Sequence, residues 1–302
     1  MAKLGRLLTA MVTPFTERGE LDTEQARKLA KALLDSGSEG LVLSGTTGES
    51  PTLTREEKLR LFAEVRSAVG HRGNVVANTG NYSTAESVEL TREAEKLGVD
   101  AVLLVVPYYN KPTQEGLYLH FKAIAESTHL PCIVYNVPSR TVTALTADTV
   151  IKLSKIENIV GIKEASGNLE QAARVIQEAR PGFLVWSGND GDTFPMMALG
   201  GYGVISVASH LVGLQMQDMM QRTVKGDMAG AAAIHRRLLS LFSALFIVSN
   251  PIPVKFAVNE VGFRVGNPRL PLTPLDEKSA AQLRDVLKKH RIDLPVRVPG
   301  AV

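Results

Sequence analysis

Between Cys132 and Lys163 the chain reads CIVYNVPSRTVTALTADTVIKLSKIENIVGIK, and this stretch decides the fold. It opens with an apolar run, Cys132 to Asn136, and closes with a second, Ile159 to Lys163. Neither run alternates polar with apolar residues, as expected of strands covered on both faces. Between them a helical pattern follows Thr146. Strand, helix and strand in that order call for two parallel strands joined by a helical crossover.

The same unit recurs on both sides. Runs at Leu7 to Val12, Gly40 to Ser44, Asn74 to Asn78, Ala101 to Val106, Phe183 to Ser187 and Gly203 to Val207 complete a set of eight candidate strands. Ala26, Leu29, Ala30, Leu33 and Leu34 share one helical face, and Gly37 is placed to end that helix. Thr54 with Glu57, and Ser83 with Glu86, have capping-box spacing, closed by Gly70 and Gly98. Helical patterns also follow Thr113, Asn168 and Gly191, the last weakened by an early Pro195.

Eight such units predict an α/β fold, a closed (β/α)8 TIM barrel. An open doubly wound sheet is the alternative, but it would usually show Gly-x-Gly-x-x-Gly after the first strand, where this chain has Val12-Thr13-Pro14-Phe15. Four more helical patterns, near 211–225, 228–248, 251–262 and 276–289, exceed what one barrel unit needs. We therefore expect a barrel over residues 1–225 and a C-terminal helical region over 226–302, packed beside the barrel or against another subunit.

The 302 residues are 44% hydrophobic and 22% charged, the make-up of an ordinary soluble protein with a large core. The 34 basic and 31 acidic residues are spread along the chain, so no basic arm offers itself to phosphates and nucleic acid is not an expected partner. Cys132, the single cysteine, reads as a buried hydrophobe and suits a reducing compartment. No signal-like segment develops after Lys3 and Arg6, because Pro14 follows the short apolar run. The longest largely apolar stretch, Leu238 to Val248, falls short of the roughly 18 residues of a membrane span. The expectation is a cytoplasmic protein, full length as written, without a membrane partner. No metal is expected: the six histidines are scattered without ligand spacing, and Asp190 and Asp192 read as a solvated loop or helix start. Gly200-Gly201 reads as a turn into the eighth strand in preference to a phosphate cradle.

Barrels of this class carry their active sites at the C-terminal ends of the strands, so the polar residues that finish each run matter most. The sixth run ends in Lys163, two residues after Gly161 and therefore on the same face. If that face is the interior, the glycine leaves room for the amine. An amine with a pKa of about 10.4 is protonated at neutral pH; burial would lower that value and make it nucleophilic. Taken alone, a strand-end lysine reads better as a chain snorkelling to water. Its company reverses that. Tyr135 and Thr46 finish other strands and offer a phenol and a hydroxyl for proton transfer, although either alone fits hydrogen-bonded packing equally well. The Gly45-Thr46-Thr47-Gly48 loop presents backbone N–H groups suited to a carboxylate and lacks the Gly-Lys-Ser/Thr ending of a nucleotide loop. Arg140, five residues after Tyr135, is placed to take a second carboxylate, where a loop arginine is otherwise simply solvated.

Gly-Thr-Thr-Gly-Glu at 45–49, Pro-Tyr-Tyr-Asn at 107–110, Tyr-Asn-Val-Pro-Ser-Arg-Thr at 135–141 and Gly-Ile-Lys-Glu at 161–164 together resemble the dihydrodipicolinate synthase family. The resemblance runs from about Gly5 to the last helix and includes Gly-Val-Ile-Ser-Val at 203–207 and Asn-Pro-Ile-Pro-Val-Lys at 250–255. It implies condensation of pyruvate with L-aspartate 4-semialdehyde to 4-hydroxy-tetrahydrodipicolinate, on the way to lysine and diaminopimelate, with no metal or dissociable cofactor. It implies that Lys163 forms the pyruvate imine and that Tyr135 moves protons, linked through Thr46 to Tyr109 of a neighbouring subunit. Thr46 and Thr47 would hold the pyruvate carboxylate, the backbone at Ile205 would lie against the imine, and Arg140 would receive the semialdehyde carboxylate. A partner-supplied Tyr109 implies a homotetramer, a dimer of tight dimers. Sister enzymes, N-acetylneuraminate lyase and sugar-acid aldolases, generally lack an arginine after the tyrosine, so Arg140 favours the synthase. A barrel that binds a keto acid without turnover is the remaining alternative; nothing in the sequence prefers it.

One region departs from the family pattern. Ser50, Glu86 and Tyr108 match the site where lysine-inhibited members bind their effector, whereas Arg55 and Lys58 stand where inhibited bacterial members often carry histidines, and Tyr82 replaces an asparagine. Added positive charge opposes a cationic effector. Weak or absent feedback by L-lysine is the expectation.

Overall fold

A computed structural model describes residues 4–296. Eight strands, β1 (Leu7–Ala10), β2 (Gly40–Leu43), β3 (Asn74–Asn78), β4 (Ala101–Val105), β5 (Cys132–Asn136), β6 (Ile159–Glu164), β7 (Leu184–Ser187) and β8 (Gly203–Ser206), close in chain order into a barrel. Every pairing is parallel, and β8 returns to β1 with Ile205 beside Leu8. The closed barrel is the predicted fold, and the open sheet is excluded.

The runs do not alternate because each strand is covered twice. Leu8, Val42, Val76, Leu103, Ile133 and Ile205 form an inner cluster with Tyr135 and Trp186. Their chain neighbours Leu7, Leu41, Val75, Val102 and Val134 face outward beneath the helices. Several apolar runs outlast their strands by a residue or two, since Val12, Ser44, Val106 and Val207 turn into loops.

The surrounding helices are α1 (Thr23–Asp35), α2 (Arg55–Val69), α3 (Thr84–Lys96), α4 (Gln114–Ala125), α5 (Pro138–Thr141), α6 (Ala147–Leu153), α7 (Leu169–Glu178), α8 (Thr193–Ala198) and α9 (Ser209–Val224). Thr54 and Glu57 form the full capping box at the start of α2. Ser83 accepts from Glu86 N at α3, but the Glu86 carboxylate accepts from Asn81 Nδ2 at 3.0 Å, so the second expected box is only half made. Gly200-Gly201 lies at the N-terminal end of β8, away from the mouth, and a Cβ on Gly201 would stand 2.8 Å from Met196 O. The pair is a tight turn.

Three further helices, α10 (Met228–Ala244), α11 (Ile252–Glu260) and α12 (Glu277–Leu287), complete the tail. α10 packs on α9, α8 and α12, and α11 on α9 and α12. Ala231, Leu238, Leu241, Val254, Ala257 and Leu283 share one apolar cluster with Leu7, Leu41 and Phe62 of the barrel. Among the described residues, no helix is long and apolar enough to cross a membrane.

Candidate active site

At the mouth, β5 and β6 set Tyr135 directly beside Lys163. The Lys163 ammonium lies 4.2 Å from the centroid of the Tyr135 ring, and the lysine is only 6% exposed. Its face is the barrel interior, as expected, but the room beside Gly161 is not left for the amine. A Cβ there would collide with Leu184 O and stand 2.7 Å from the Trp186 ring, so the tryptophan fills that space. Trp186 in turn donates from Nε1 to Gly5 O at 3.0 Å and plugs the barrel below the lysine. The glycine that accommodates the lysine chain is Gly188, whose missing Cβ would lie 3.1 Å from Lys163 Cε. Nothing in the linear order of β7 reveals this.

Glu164 follows the lysine and faces the other way, by the period of the strand. It accepts from Asn136 Nδ2 at 3.0 Å, Ser166 N at 2.7 Å and Gln171 Nε2 at 3.4 Å. That carboxylate is occupied with fixing the end of β6. Asp190, expected in a solvated loop or at a helix start, does open a short helical turn, Asp190–Asp192, but is buried there. It accepts from Ser206 Oγ, Ala208 N and Val207 N, the residues that follow Ile205 in β8. Burial pushes its carboxyl up, against the opposing pull of these donors and of the Lys163 charge. The correction has a simple cause: backbone N–H groups leaving β8 need an acceptor, and Asp190 supplies it.

A cavity of about 200 Å³ has Thr46, Asn78, Tyr108, Arg140 and Tyr135, the residue on which Lys163 packs, in its walls. Arg140 sits in the short helix α5, begun by Pro138, and donates from Nη2 to Asn250 O at 3.3 Å. Thr47 is buried, and its Oγ1 accepts from Asn250 Nδ2 at 2.9 Å. The loop bearing both threonines closes tightly: a Cβ on Gly48 would meet Ser44 N at 2.9 Å and Met11 O at 3.1 Å. The structure thus brings Lys163, Tyr135, Thr46 and Arg140 to one place, with Thr47 and the Ile205 backbone in adjoining segments. Tyr109 is not among the cavity walls; it is 95% exposed, with φ +76°. Asn250, Glu49 and Lys255 were not singled out as site residues from sequence. The 250–255 run was visible only as a motif, because its contact with the loop after β2 spans some two hundred residues.

A second cavity, of about 450 Å³, is lined by Ser50, Arg55, Lys58, Tyr82, Glu86 and Tyr108, all six residues of the expected effector site. Tyr82 and Tyr108 pack edge to face, 5.2 Å between centroids. The two cations there are not equivalent. Arg55 pairs with Glu93 at 2.8 Å and Glu89 at 3.2 Å on α3, so its charge is largely answered. Lys58 takes part in no ion pair among the described residues; burial holds its ammonium below the usual range, with Glu86 opposing.

A sequence model described as the dihydrodipicolinate synthetase family matches residues 3–290. The chain is 63% identical over 297 residues to the 4-hydroxy-tetrahydrodipicolinate synthase of Dehalococcoides mccartyi, covering 98% of this chain and 100% of the relative. Among solved structures it is similar to a dihydrodipicolinate synthase from Bacillus anthracis, with TM-score 0.93, 48% identity and coverage of 95% and 99%. An enzyme of the same name from Cyanidioschyzon merolae, solved with lysine bound, matches with TM-score 0.93, 47% identity and coverage of 95% and 98%.

Proposed function

The chain belongs to the dihydrodipicolinate synthetase family and condenses pyruvate with L-aspartate 4-semialdehyde to 4-hydroxy-tetrahydrodipicolinate; we propose that it does so through a pyruvate imine on Lys163, with no dissociable cofactor. One observation carries this route: a buried lysine amine stacked on a tyrosine that itself lines a cavity with a threonine and an arginine. Lys163 Nζ attacks the keto carbon of pyruvate, water leaves, and loss of a methyl proton gives an enamine. The enamine carbon attacks the aldehyde carbon of the second substrate. Attack of that substrate's amine on the imine carbon closes the ring and frees Lys163.

Proton transfers in this sequence fall to Tyr135, with Thr46 beside it, because both stand in the mouth where the carbinolamine forms. Thr46 and Thr47 hold the pyruvate carboxylate, and the backbone at Ile205 lies against the imine. Arg140 takes the semialdehyde carboxylate with its planar fork. Tyr109, exposed in a single chain, completes the relay from a partner subunit in a homotetramer built as a dimer of dimers. Such a biosynthetic enzyme works in the cytoplasm.

Borohydride reduction in the presence of pyruvate tests the route directly. The expected result is a single covalent adduct on Lys163 by peptide mass spectrometry, lost in Lys163→Ala. An unmodified lysine would sink the imine. Turnover of a sialic or sugar acid without turnover of aspartate semialdehyde would move the chain to a sister aldolase.

A further inference from the structure

The loop that carries Thr46 and Thr47 leaves β2 through Ser44 at φ 53° and ends in Glu49 at φ 57°. Neither is a glycine, and such left-handed residues persist only where their surroundings over-determine them. The surroundings of Glu49 come from the C-terminal tail. Its Oε1 accepts from Lys255 Nζ of α11 at 2.7 Å, and its Oε2 accepts from Arg269 N at 2.9 Å. The two side chains of this ion pair are 1% and 0% exposed. Lys255 also donates to Asn267 O at 3.1 Å and lies 4.1 Å from the Phe15 ring centroid, so every contact of its ammonium is fixed.

Asn250, just before α11, reaches the same loop one turn earlier. Its Nδ2 donates to Thr47 Oγ1, and its carbonyl accepts from Arg140. A hydroxyl that already accepts from Asn250 has its own O–H left to donate, which is what a carboxylate in the loop requires. The tail therefore grips the loop at two points, Thr47 through Asn250 and Glu49 through Lys255 of α11.

We propose that Glu49, Lys255 and Asn250 are positioning residues for the pyruvate carboxylate, and that the C-terminal helices set the affinity for the first substrate through them. The inference rests on the assignment of Lys163 and the threonine loop to pyruvate. Its physical basis is the cost of an unanswered charge in a dry site: with one partner gone, the other draws in water or moves, and the left-handed turn relaxes with it. Thr46 and Thr47 would move in consequence, while Lys163, on β6, would not.

The ammonium of Lys255 is pushed down to about 8 by burial, with Arg269 acting in the same direction and the charge and hydrogen bond of Glu49 opposing. Arg269 is itself answered by Glu57. Among the described residues, no other titrating group is among the contacts of Lys255; Phe15 and the Asn267 carbonyl complete its shell. The pyruvate KM should therefore climb as pH rises through about 8, as the pair loses its cation.

The experiment compares wild type with Lys255→Arg, with Asn250→Ala and with the double variant Glu49→Gln/Lys255→Met, which removes the tether between tail and loop without leaving either charge unpaired. Borohydride trapping and steady-state rates are measured against pyruvate from pH 7 to 9. The double variant should fold by circular dichroism and form the adduct at saturating pyruvate. It should need at least tenfold more pyruvate for half-maximal trapping, keep the semialdehyde KM within about threefold, and lose the break near pH 8. Asn250→Ala should raise the pyruvate KM similarly, and Lys255→Arg should recover most of the affinity. Wild-type pyruvate dependence in the folded double variant would overturn the proposal. A wild type that traps no pyruvate would overturn the underlying assignment instead, and the two failures are told apart by the wild-type lane alone.

Discussion

In the proposed route the hydroxyl of Tyr135 carries the proton transfers at Lys163, on which its ring packs. Tyr135→Phe keeps the ring and removes the proton carrier. Its kcat should fall by about 10²- to 10⁴-fold, the usual worth of a positioned acid-base group, while the protein folds and still binds pyruvate. Steady-state kinetics with trapping in parallel check this. Arg140→Leu should act on the other substrate. Loss of a charge-assisted bond worth about 1.5–3 kcal/mol raises the semialdehyde KM by roughly 10- to 100-fold and leaves the pyruvate KM in place. Lys58 stands as the unanswered cation of the second cavity, so Lys58→Gln should tighten L-lysine binding by about fivefold, from a repulsion near 1 kcal/mol at about 4 Å in water. Calorimetry decides it; unchanged binding would show that the Lys58 charge does not oppose the effector.

Elements explain why some of these residues were legible and others were not. Strands announced themselves as bare apolar runs, so Lys163, Tyr135 and Thr46 could be placed at the mouth by counting along their own strands. Neighbours across the ladder could not. Gly161 was read as space for the amine because it shares a face with Lys163, yet β7 lies beside it and Trp186 uses that space. Gly161→Ala should therefore destabilise by about 1–3 kcal/mol, because Leu184 O is backbone and cannot swing away. Urea denaturation measures this. Asp190 begins a helical turn, as its sequence suggests, but is not solvated: its donors belong to the end of β8, and strand order alone does not show which side chain turns inward to meet them. Caps, by contrast, are local, and the Thr54 box formed as its four residues dictate.

On the scale of the molecule, the seam between β8 and β1 is bridged by His210. Its Nδ1 donates to Val207 O and its Nε2 accepts from Val12 N, so the ring is neutral by geometry. Burial lowers its pKa to about 4, and that of the buried His120 likewise to about 4. Both folded values lie below the unfolded value near 6.5. Between pH 6.5 and 4 the unfolded chain thus takes up protons that the folded chain refuses, and stability falls as pH drops through that window. Each histidine should contribute about 2–3 kcal/mol of loss by pH 4.5. Urea midpoints at pH 7 and 4.5 test this, and His120→Leu should remove about half of the two-histidine effect.

By itself the sequence determined the number, order and parallel sense of the strands, because hydrophobic period and cap spacing are local properties of the chain. It also placed the lysine and tyrosine at the ends of their strands, and the threonine and arginine in the segments that follow β2 and β5, since the barrel sends all C-terminal ends to one mouth. Only the tertiary structure decided what surrounds them. Gly188 making room for Lys163, Trp186 closing the barrel beneath it, Asp190 turned inward, and Asn250 and Lys255 gripping the threonine loop are contacts between segments far apart in the chain. Such contacts depend on how the barrel closes and where the tail packs, and no pattern within a single segment records either.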